Sequence, residues 1–419
     1  MMTKPRPTVA VAMLLAALML LATGCTGSET SGSVRELVWA AGGITEDSAT
    51  YVADAWNQQH PQGPRVRVEA LPQSADDQRQ LLALELNAGI DHFDILDLDA
   101  IWTAEFAEEG WLLDLDDMRS EIEEVTLPGP VRTAIWDDIL WAAPFTTDAG
   151  LLYYRTDLVS EPPTSWQELV DDGSRIGSVQ GIAPFVADGA PYEGLVVQYL
   201  EYLWAFGGDL IIDGTDVTFD ETRATDAAEF MRTSYRTGLY APGFETMTLE
   251  DARDTFQSGQ AVFLRSWPYA YRPMNDQDPT SQVAGKVGIA PLPTFDGSGA
   301  VAALGGHNLA VSRFSSDVSA AQEFVRFATT SRDVQRRLAE EYSLAPTLRA
   351  AYDDLAADPL MALLDRVLPT ARPRPATPEW AAISEEIQQQ VLAAYTGDVE
   401  PAAAVAALRR SVRATVQRR

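Results

Sequence analysis

Hydrophobic positions in the first part of the chain follow two different periods. Residues 65–71 alternate between apolar and polar side chains, which is typical of a half-buried strand. Ser74 and Asp77 match a capping box, and the helix they open ends near Gly89 after apolar positions at Leu81, Leu82, Leu84 and Leu86. Residues 93–99 form the next predicted strand. The order strand, helix, strand predicts an α/β class with a parallel sheet and crossover helices.

The same alternation returns after Pro144. Residues 151–154 are rich in strand-forming side chains, and residues 162–167 combine a turn with a capping box that opens a helix. Residues 287–291 and 309–312 are further short predicted strands, and a helical spacing follows at Val318, Ala321, Phe324, Val325 and Ala328. We therefore predict two α/β bodies, while the number of times that the chain crosses between them stays open.

The N-terminus has the pattern of an export signal. Lys4 and Arg6 precede an apolar run over residues 9–22, which is shorter than the roughly 18 to 20 residues that a membrane-spanning helix needs. We predict a signal peptide over residues 1–24, a lipid on Cys25, and a flexible polar tether over residues 25–33. The alternative for Cys25, the only cysteine, is a buried free thiol. Residues 21–25 resemble a bacterial lipobox, except that Ala22 stands where leucine is usual.

Composition excludes one class of partner. Of the 419 residues, 46 % are hydrophobic, which is enough for sizeable cores, and the net charge is −30. Removing the signal peptide takes away two positive charges and gives −32. Nucleic acid is therefore not an expected partner. The dense basic run near the C-terminus is interpreted as the solvated end of the last helix, at Arg409, Arg410, Arg413, Arg418 and Arg419.

Motifs for metal, cofactor or nucleophilic chemistry are missing from the sequence. His60, His92 and His307 have no ligand spacing, so we predict no metal site. Neither Gly42-Gly43 nor Gly305-Gly306 has the spacing of a dinucleotide or phosphate loop, so we predict no cofactor. We find no nucleophile elbow. The interpretation that remains is a binding protein rather than an enzyme.

Two carboxylates and two rings are the candidate binding groups. Asp99 ends a predicted strand and Asp148 lies in a predicted turn after Pro144, so both are expected beyond strand ends, where open α/β sheets bind ligands. A carboxylate there accepts hydrogen bonds from neighbouring hydroxyls of a neutral polyol. Trp267 and Tyr269 flank a proline after an apolar run, which favours flat faces presented at a loop over core packing.

The sequence also resembles a known family. Several blocks occur in one order along nearly the whole mature chain: DILDLDAIW (94–102), DAGLLYYR (148–155), YEGL (192–195), WPYA (267–270), GKVGIAPLP (285–293), LGG (304–306) and RPRPATP (372–378). Together they resemble the extracellular solute-binding proteins of carbohydrate ABC importers, and most closely the branch that binds trehalose or maltose. The resemblance implies a type II periplasmic-binding-protein fold, in which two lobes close over a sugar about hinge crossovers.

The resemblance also implies lobe boundaries and ligand contacts. The first lobe would take residues 34–147 and 306–350, and the second would take residues 148–305 and 351–419. Asp99 and Asp148 would accept sugar hydroxyls, and Trp267 and Tyr269 would supply stacking and a phenolic hydrogen bond. The backbone of Gly305 and Gly306 would donate hydrogen bonds. The guanidinium of Arg374, favoured over Arg372 by its two flanking prolines, would bind oxygen atoms of the ligand.

Three further contacts follow from the resemblance. An acidic side chain soon after Gly42-Gly43 would bind the ligand, and either Glu46 or Asp47 satisfies this. Ser74 and Glu250 are additional candidates, although Ser74 is equally well explained as a helix cap. Thr146-Thr147 departs from the bulkier side chains of relatives, which leaves the identity of the disaccharide open.

We therefore expect a monomeric lipoprotein on the extracytoplasmic face of a bacterial membrane. It would capture a disaccharide such as trehalose or maltose and deliver it to ABC permease subunits. Three alternatives stay open: a secreted glycoside hydrolase that uses Asp99 and Asp148, a binding protein for a sugar phosphate, and a lipoprotein with a structural role.

Overall fold

A computed structural model describes residues 36–42, 45–275, 280–295 and 301–418. The predicted signal peptide, Cys25, the tether and Gly43 lie outside the described residues. The strands are β1 (Glu36–Ala41), β2 (Arg65–Ala70), β3 (Ile95–Asp99), β4 (Leu112–Leu113), β5 (Ile135–Trp136), β6 (Ile139–Leu140), β7 (Ala143–Ala149), β8 (Leu151–Arg155), β9 (Ala183–Val186), β10 (Leu210–Asp213), β11 (Asp216–Phe219), β12 (Ala261–Ser266), β13 (Val287–Pro291), β14 (Ala303–Ser312), β15 (Ala345–Pro346) and β16 (Arg372–Pro373).

The α-helices are α1 (Glu46–Gln59), α2 (Ala75–Asn87), α3 (Thr103–Glu108), α4 (Arg119–Val125), α5 (Pro128–Thr133), α6 (Trp166–Gln180), α7 (Glu193–Ala205), α8 (Glu221–Thr237), α9 (Leu249–Gln257), α10 (Tyr271–Asn275), α11 (Val318–Thr330), α12 (Arg332–Tyr342), α13 (Arg349–Asp354), α14 (Pro359–Val367), α15 (Trp380–Thr396) and α16 (Pro401–Val416). Short 3₁₀ helices cover Asp116–Met118, Phe244–Thr246, Pro268–Ala270 and Leu368–Thr370.

The larger sheet has a mixed topology. Its strands run in the order β15-β7-β14-β3-β1-β2, and β4 and β16 also pair with β14. Strand β1 is parallel to β2 and β3, whereas β14 is antiparallel to β3 and β7. The expected parallel arrangement therefore holds for β1, β2 and β3, whereas β14, which comes from the second half of the chain, introduces antiparallel pairs with β3 and β7. Trp39 of this core packs edge-on against Phe145 and Phe324, with ring centroids 5.6 and 5.4 Å away.

The smaller sheet runs in the order β13-β8-β12-β9. Strand β12 is parallel to β9 and antiparallel to β8. Beside this sheet, Trp166 packs against Phe185 and Tyr202 at centroid distances of 5.8 and 4.9 Å. Helices α7, α8, α15 and α16 pack against one another. The two sheets confirm the expected α/β class with two bodies.

In the described part of the chain, the backbone passes between the sheets at three places. Gly150 alone separates β7 of the larger sheet from β8 of the smaller one. A second passage leads into β14, and a third lies between α13, which packs against β15, and α14, which packs against β13 of the smaller sheet. Strand β16 then pairs with the start of β14. Gly150 N donates to Ala303 O at 3.4 Å, and Arg372 N donates to Ala302 O at 2.9 Å. The first two passages and β16 thus meet in one small region. The predicted lobe boundaries stay a prediction.

Local expectations had mixed outcomes. The capping box at the start of α6 is confirmed, since Ser165 and Glu168 each accept from the backbone of the other. The capping box predicted at Ser74 is wrong, because the Ser74 side chain makes no capping hydrogen bond. Asp148 lies inside β7 rather than in a turn, because β7 pairs with β14 as far as Ala149.

The described residues contain no helix with the length and apolar character needed to cross a membrane.

Replacing Gly150 by alanine should destabilise the fold. A Cβ atom there would lie 2.2 Å from Glu201 Oε1 and 2.8 Å from Arg265 Nη2. Relieving that overlap should lower the free energy of unfolding by roughly 1 to 3 kcal/mol. Denaturant unfolding of the purified variant measures the loss.

Gly129→Ala is the matched control. Its Cβ would make ordinary contact with Leu304 Cδ2 at 3.5 Å, so the variant introduces the same side chain without a comparable overlap across the fold. Equal stability of the two variants would contradict the close approach described at Gly150.

Candidate functional site

A cavity of about 600 Å³ lies between the two sheets. Strands β3, β7 and β14 of the larger sheet bring Asp99, Thr146, Asp148 and His307 to its wall. The other wall comes from α7, α9 and the segment after β12. The residues from that side include Asp188, Tyr192, Glu193, Leu249, Glu250, Trp267 and Tyr269. The cavity is thus built from segments that are far apart in sequence.

Most of the ligand-binding residues predicted from the sequence line this one cavity. They are Ser74, Asp99, Asp148, Glu250, Trp267, Tyr269, Gly305, Gly306 and Arg374. Their proximity agrees with a shared binding site, and the contact of each with a ligand stays a prediction.

Glu46 and Asp47 do not line the cavity. Both are exposed in the first turn of α1, where their charges are favourable near the helix N-terminus. The cavity wall takes Thr45 instead, whose backbone N–H donates to Gly42 O at 2.9 Å and so turns the chain before the helix. A ligand contact from Glu46 or Asp47 therefore stays a prediction without support from their position.

The glycine pair allows close packing beside Asp148. Gly305 pairs with Asp148 across β14 and β7, and a Cβ on Gly305 would lie 3.0 Å from the Trp267 ring. Gly306 has φ +114°, and a Cβ there would lie 2.3 Å from Thr146 O. Glycine is required at this second position because side-chain-bearing residues rarely adopt that φ. The Trp267 ring can therefore lie directly over the strand.

Asp148 carries an unsatisfied carboxylate oxygen. Its Oδ1 is buried and has no hydrogen-bond partner among the described residues. Burial raises the pKa of Asp148 to about 7, and the nearby Asp99 adds to the rise, while His307 and Arg265 oppose it. A buried acceptor without a donor is costly, so a ligand hydroxyl that donates to this oxygen would be stabilised.

His307 is a cavity residue that the sequence analysis did not select. Its Nδ1 lies 2.9 Å from Oδ1 of the buried Asp97. Burial disfavours the charged ring, but Asp97, Asp99 and Asp148 outweigh it and raise the pKa of His307 to about 9. The ring is therefore a cation at neutral pH. Its position directly after Gly305-Gly306 was the available signal.

Arg374 connects two carboxylates from opposite walls. Its Nη1 donates to Glu193 Oε1 at 2.7 Å, and its Nη2 donates to Asp99 Oδ1 at 2.8 Å. Glu193 also accepts from Trp380 Nε1 at 3.2 Å. The guanidinium fork expected to bind the ligand is thus engaged by protein carboxylates. The Arg374 Nε is buried and has no hydrogen-bond partner in the part of the chain that the structure describes. Glu193, in the first turn of α7, was not among the residues predicted from the sequence.

The aromatic wall is held by hydrogen bonds behind the rings. The Tyr269 hydroxyl donates to Glu250, which also accepts from Arg253 Nε at 2.9 Å. The Tyr153 hydroxyl donates to the backbone oxygen of Trp267 at 2.7 Å. Asp188 and Tyr192, also missed from the sequence, are hydrogen-bonded to each other beside these rings. The rings therefore have fixed positions.

Within the described residues, no group of three or more histidine, cysteine, aspartate or glutamate side chains could hold a metal ion. The chemistry that the cavity offers is hydrogen bonding to carboxylates and stacking on flat rings. Both interactions suit a ligand that has hydroxyl groups around an apolar ring face.

Solved structures share the fold. Maltose-bound MalE3 of T. maritima superposes with a TM-score of 0.84 and 36 % identity, covering 91 % of this chain and 99 % of that chain. The GacH receptor of Streptomyces glaucescens gives a TM-score of 0.80 at 22 % identity, covering 91 % and 98 %. The second likeness shows the fold alone.

Sequence comparison identifies the family. A relative from Deinococcus radiodurans, named "Probable ABC transporter-binding protein", is 32 % identical over 375 residues, which is 85 % of this chain and 87 % of the relative. The family model described as bacterial extracellular solute-binding protein matches residues 42–335. This family agrees with a binding protein rather than an enzyme. The chain belongs to the bacterial extracellular solute-binding proteins.

Proposed function

We propose that this protein binds a neutral disaccharide of the trehalose or maltose type between its two sheets and delivers it to the permease of an ABC importer. The observation that carries the proposal is the convergence of carboxylates and two aromatic rings on one cavity of about 600 Å³. That volume lies within the roughly 300 to 1,000 Å³ that is common for small-molecule sites.

The two walls would contribute different contacts. Asp148 and Asp99 would accept hydroxyl hydrogens from the side of the larger sheet, while Trp267 and Tyr269 would cover the apolar ring face from the other side. A ligand that contacts both walls favours the closed arrangement, because only that arrangement provides all of its contacts. Closure of this kind would present one defined shape to a permease.

The names of similar proteins support the sugar and the transporter. The T. maritima structure at 36 % identity is described as maltose-bound, and the name of the D. radiodurans relative includes the words "ABC transporter-binding protein". The family is described as extracellular, which supports a position outside the cytoplasm. The lipid on Cys25 completes the proposal, since a tethered binding protein stays close to its permease.

Calorimetric titration with trehalose and maltose should give saturable heat with one site per chain. Trp267→Ala should weaken that binding by roughly 10- to 100-fold, because a stacked ring contributes on the order of 1 to 3 kcal/mol when it is buried against an apolar face. Sucrose and a sugar phosphate serve as comparison ligands in the same titrations.

Tyr342→Ala is the control for the removal of a ring. Tyr342 stacks on Tyr51 at 6.2 Å between centroids and does not line the cavity, so its loss should leave the dissociation constant unchanged. Absence of heat with every disaccharide would contradict the sugar proposal, and release of free glucose during incubation would indicate a hydrolase.

Asp148→Asn should stabilise the ligand-free protein at neutral pH and weaken sugar binding. The folded state holds the pKa of Asp148 at about 7, above its ordinary value of 3.8. As pH rises from about 4 to 7, the unfolded chain loses this proton first, so the stability contributed by wild-type Asp148 falls across that window. Asparagine carries no such penalty. The substitution should raise the free energy of unfolding by roughly 1 to 3 kcal/mol at pH 8. Each unit of pKa shift is worth about 1.4 kcal/mol, and partial solvent access reduces this effect.

Thermal unfolding of both proteins at pH 3.5, 5.5 and 8 measures this difference. The advantage of Asp148→Asn should vanish at pH 3.5 and grow toward pH 8. Asp216→Asn, at an exposed position on β11, should show no such trend. A difference in stability between the two proteins that stays constant across pH would show that titration of Asp148 does not cause it.

A further inference from the structure

A deeply buried ion pair beside the cavity joins Glu201 of α7 and Arg265 of β12. Both side chains are only 1 to 2 % exposed, and Arg265 donates to Glu201 through Nε at 2.8 Å and through Nη2 at 2.7 Å. Burying two charges costs several kcal/mol per ion, so such a pair is weak evidence for a purely stabilising role. The groups that contact the pair on each side therefore indicate what other role it has.

On one side, the pair holds the passages between the sheets. Glu201 Oε1 accepts a hydrogen bond from the backbone N–H of Ala303 at 3.0 Å, where β14 of the larger sheet begins. The same oxygen would lie 2.2 Å from a Cβ on Gly150, so the carboxylate packs against the residue that joins β7 to β8. A side chain of the smaller sheet's body is thereby bonded to the crossover backbone.

On the other side, the pair supports the cavity wall. The Cζ atom of Arg265 lies 4.1 Å from the centroid of the Trp267 ring, and its Nη1 lies 3.9 Å from Oδ2 of Asp188. Both neighbours line the cavity. A guanidinium over an aromatic face is attracted by the ring, and the attraction is stronger when both groups are desolvated. The orientation of Trp267 thus depends on Arg265, which Glu201 holds.

We propose that Glu201 and Arg265 are positioning residues that couple the passages between the sheets to the aromatic wall of the cavity. A change in the orientation of Trp267 is transmitted through the guanidinium to the Glu201 carboxylate, and from there to the Ala303 amide. The reverse holds by the reciprocity of coupled equilibria. Any effect of this link on sugar binding and closure rests on the proposed function, whereas the link itself exists without ligand.

Amide hydrogen exchange of the ligand-free chain tests the link directly. In Glu201→Gln a single amide oxygen replaces two carboxylate oxygens. Arg265 therefore loses an acceptor at Nε or at Nη2, and when it loses the one at Nη2 the N–H of Ala303 loses the same acceptor. We expect exchange at Ala303 to become roughly tenfold faster. Exchange at Ala270, whose N–H donates to Trp267 O at 3.2 Å, should also rise, although the hydrogen bonds of Glu201 in the described residues go to Arg265 and Ala303. Arg265→Gln should likewise accelerate exchange at Ala303.

Asp157→Asn is the matched control. Asp157 pairs with Arg155 of β8 at 2.7 Å in the same body, outside the cavity. Its removal should leave exchange at Ala303 and Ala270 unchanged. If Glu201→Gln changed exchange at Ala303 alone, or if the control changed both sites equally, the coupling would be refuted.

The double variant Glu201→Gln with Arg265→Gln separates coupling from stability. Removing both charges abolishes the Glu201–Arg265 pair and leaves only Asp188 without its cation, so thermal stability should recover in part relative to the single variants. Affinity for the sugar that the wild type binds should nevertheless stay roughly 5- to 100-fold weaker, and the ligand-induced decrease in radius of gyration should shrink.

Recovery of affinity and closure together with stability would show that the pair is structural only. A wild-type chain that binds none of the sugars would refute the proposed function instead. The exchange measurements would then still decide whether the ion pair links the crossovers to the aromatic wall.

Discussion

The arrangement of this molecule depends on one small region in which its backbone passes from one sheet to the other. Gly150, the start of β14 and strand β16 lie together there and share hydrogen bonds. The strand ends that reach this region bring their side chains to the same cavity, as open α/β sheets generally do. A site composed of distant segments therefore follows from the topology rather than from a local motif.

Around the cavity, a few cationic side chains each interact with two carboxylates. Arg374 is shared by Asp99 and Glu193, and Arg265 is placed between Glu201 and Asp188. Each guanidinium has a planar fork of donors that suits two carboxylates at once. These bridges hold the walls together, and no described residue donates a hydrogen bond to Asp148 Oδ1. The unsatisfied acceptor is where a hydroxyl donor would gain the most.

The sequence predicted the features that depend on short-range pattern. Strand and helix periods located most elements, and the end of β3 placed Asp99 at the cavity. The proline-flanked rings at Trp267 and Tyr269 were also found, since a proline after an apolar run is a local signal. His307 was missed because its place at the cavity and its charge depend on contact with Asp97, which is 210 positions away in the chain.

The errors have the same physical origin. Ser74 has the spacing of a capping box, but local spacing does not determine where a hydroxyl points once the residue lies on a cavity wall. Asp148 was expected in a turn because the partner strand β14 comes from residues 303–312 and cannot be deduced from the neighbourhood of Pro144. Periodic patterns along the sequence carry no information about which strands pair across long sequence separations.

The same charge distribution argues against an anionic ligand such as a sugar phosphate. Among the described residues that line the cavity, the cationic side chains are Arg374 and His307. Both terminal nitrogens of Arg374 already donate to carboxylates, and His307 Nδ1 is engaged with Asp97. A phosphate would have to displace these bonds and would meet the charge of Asp99. A neutral polyol needs neither change, because its hydroxyls donate to carboxylates as they stand.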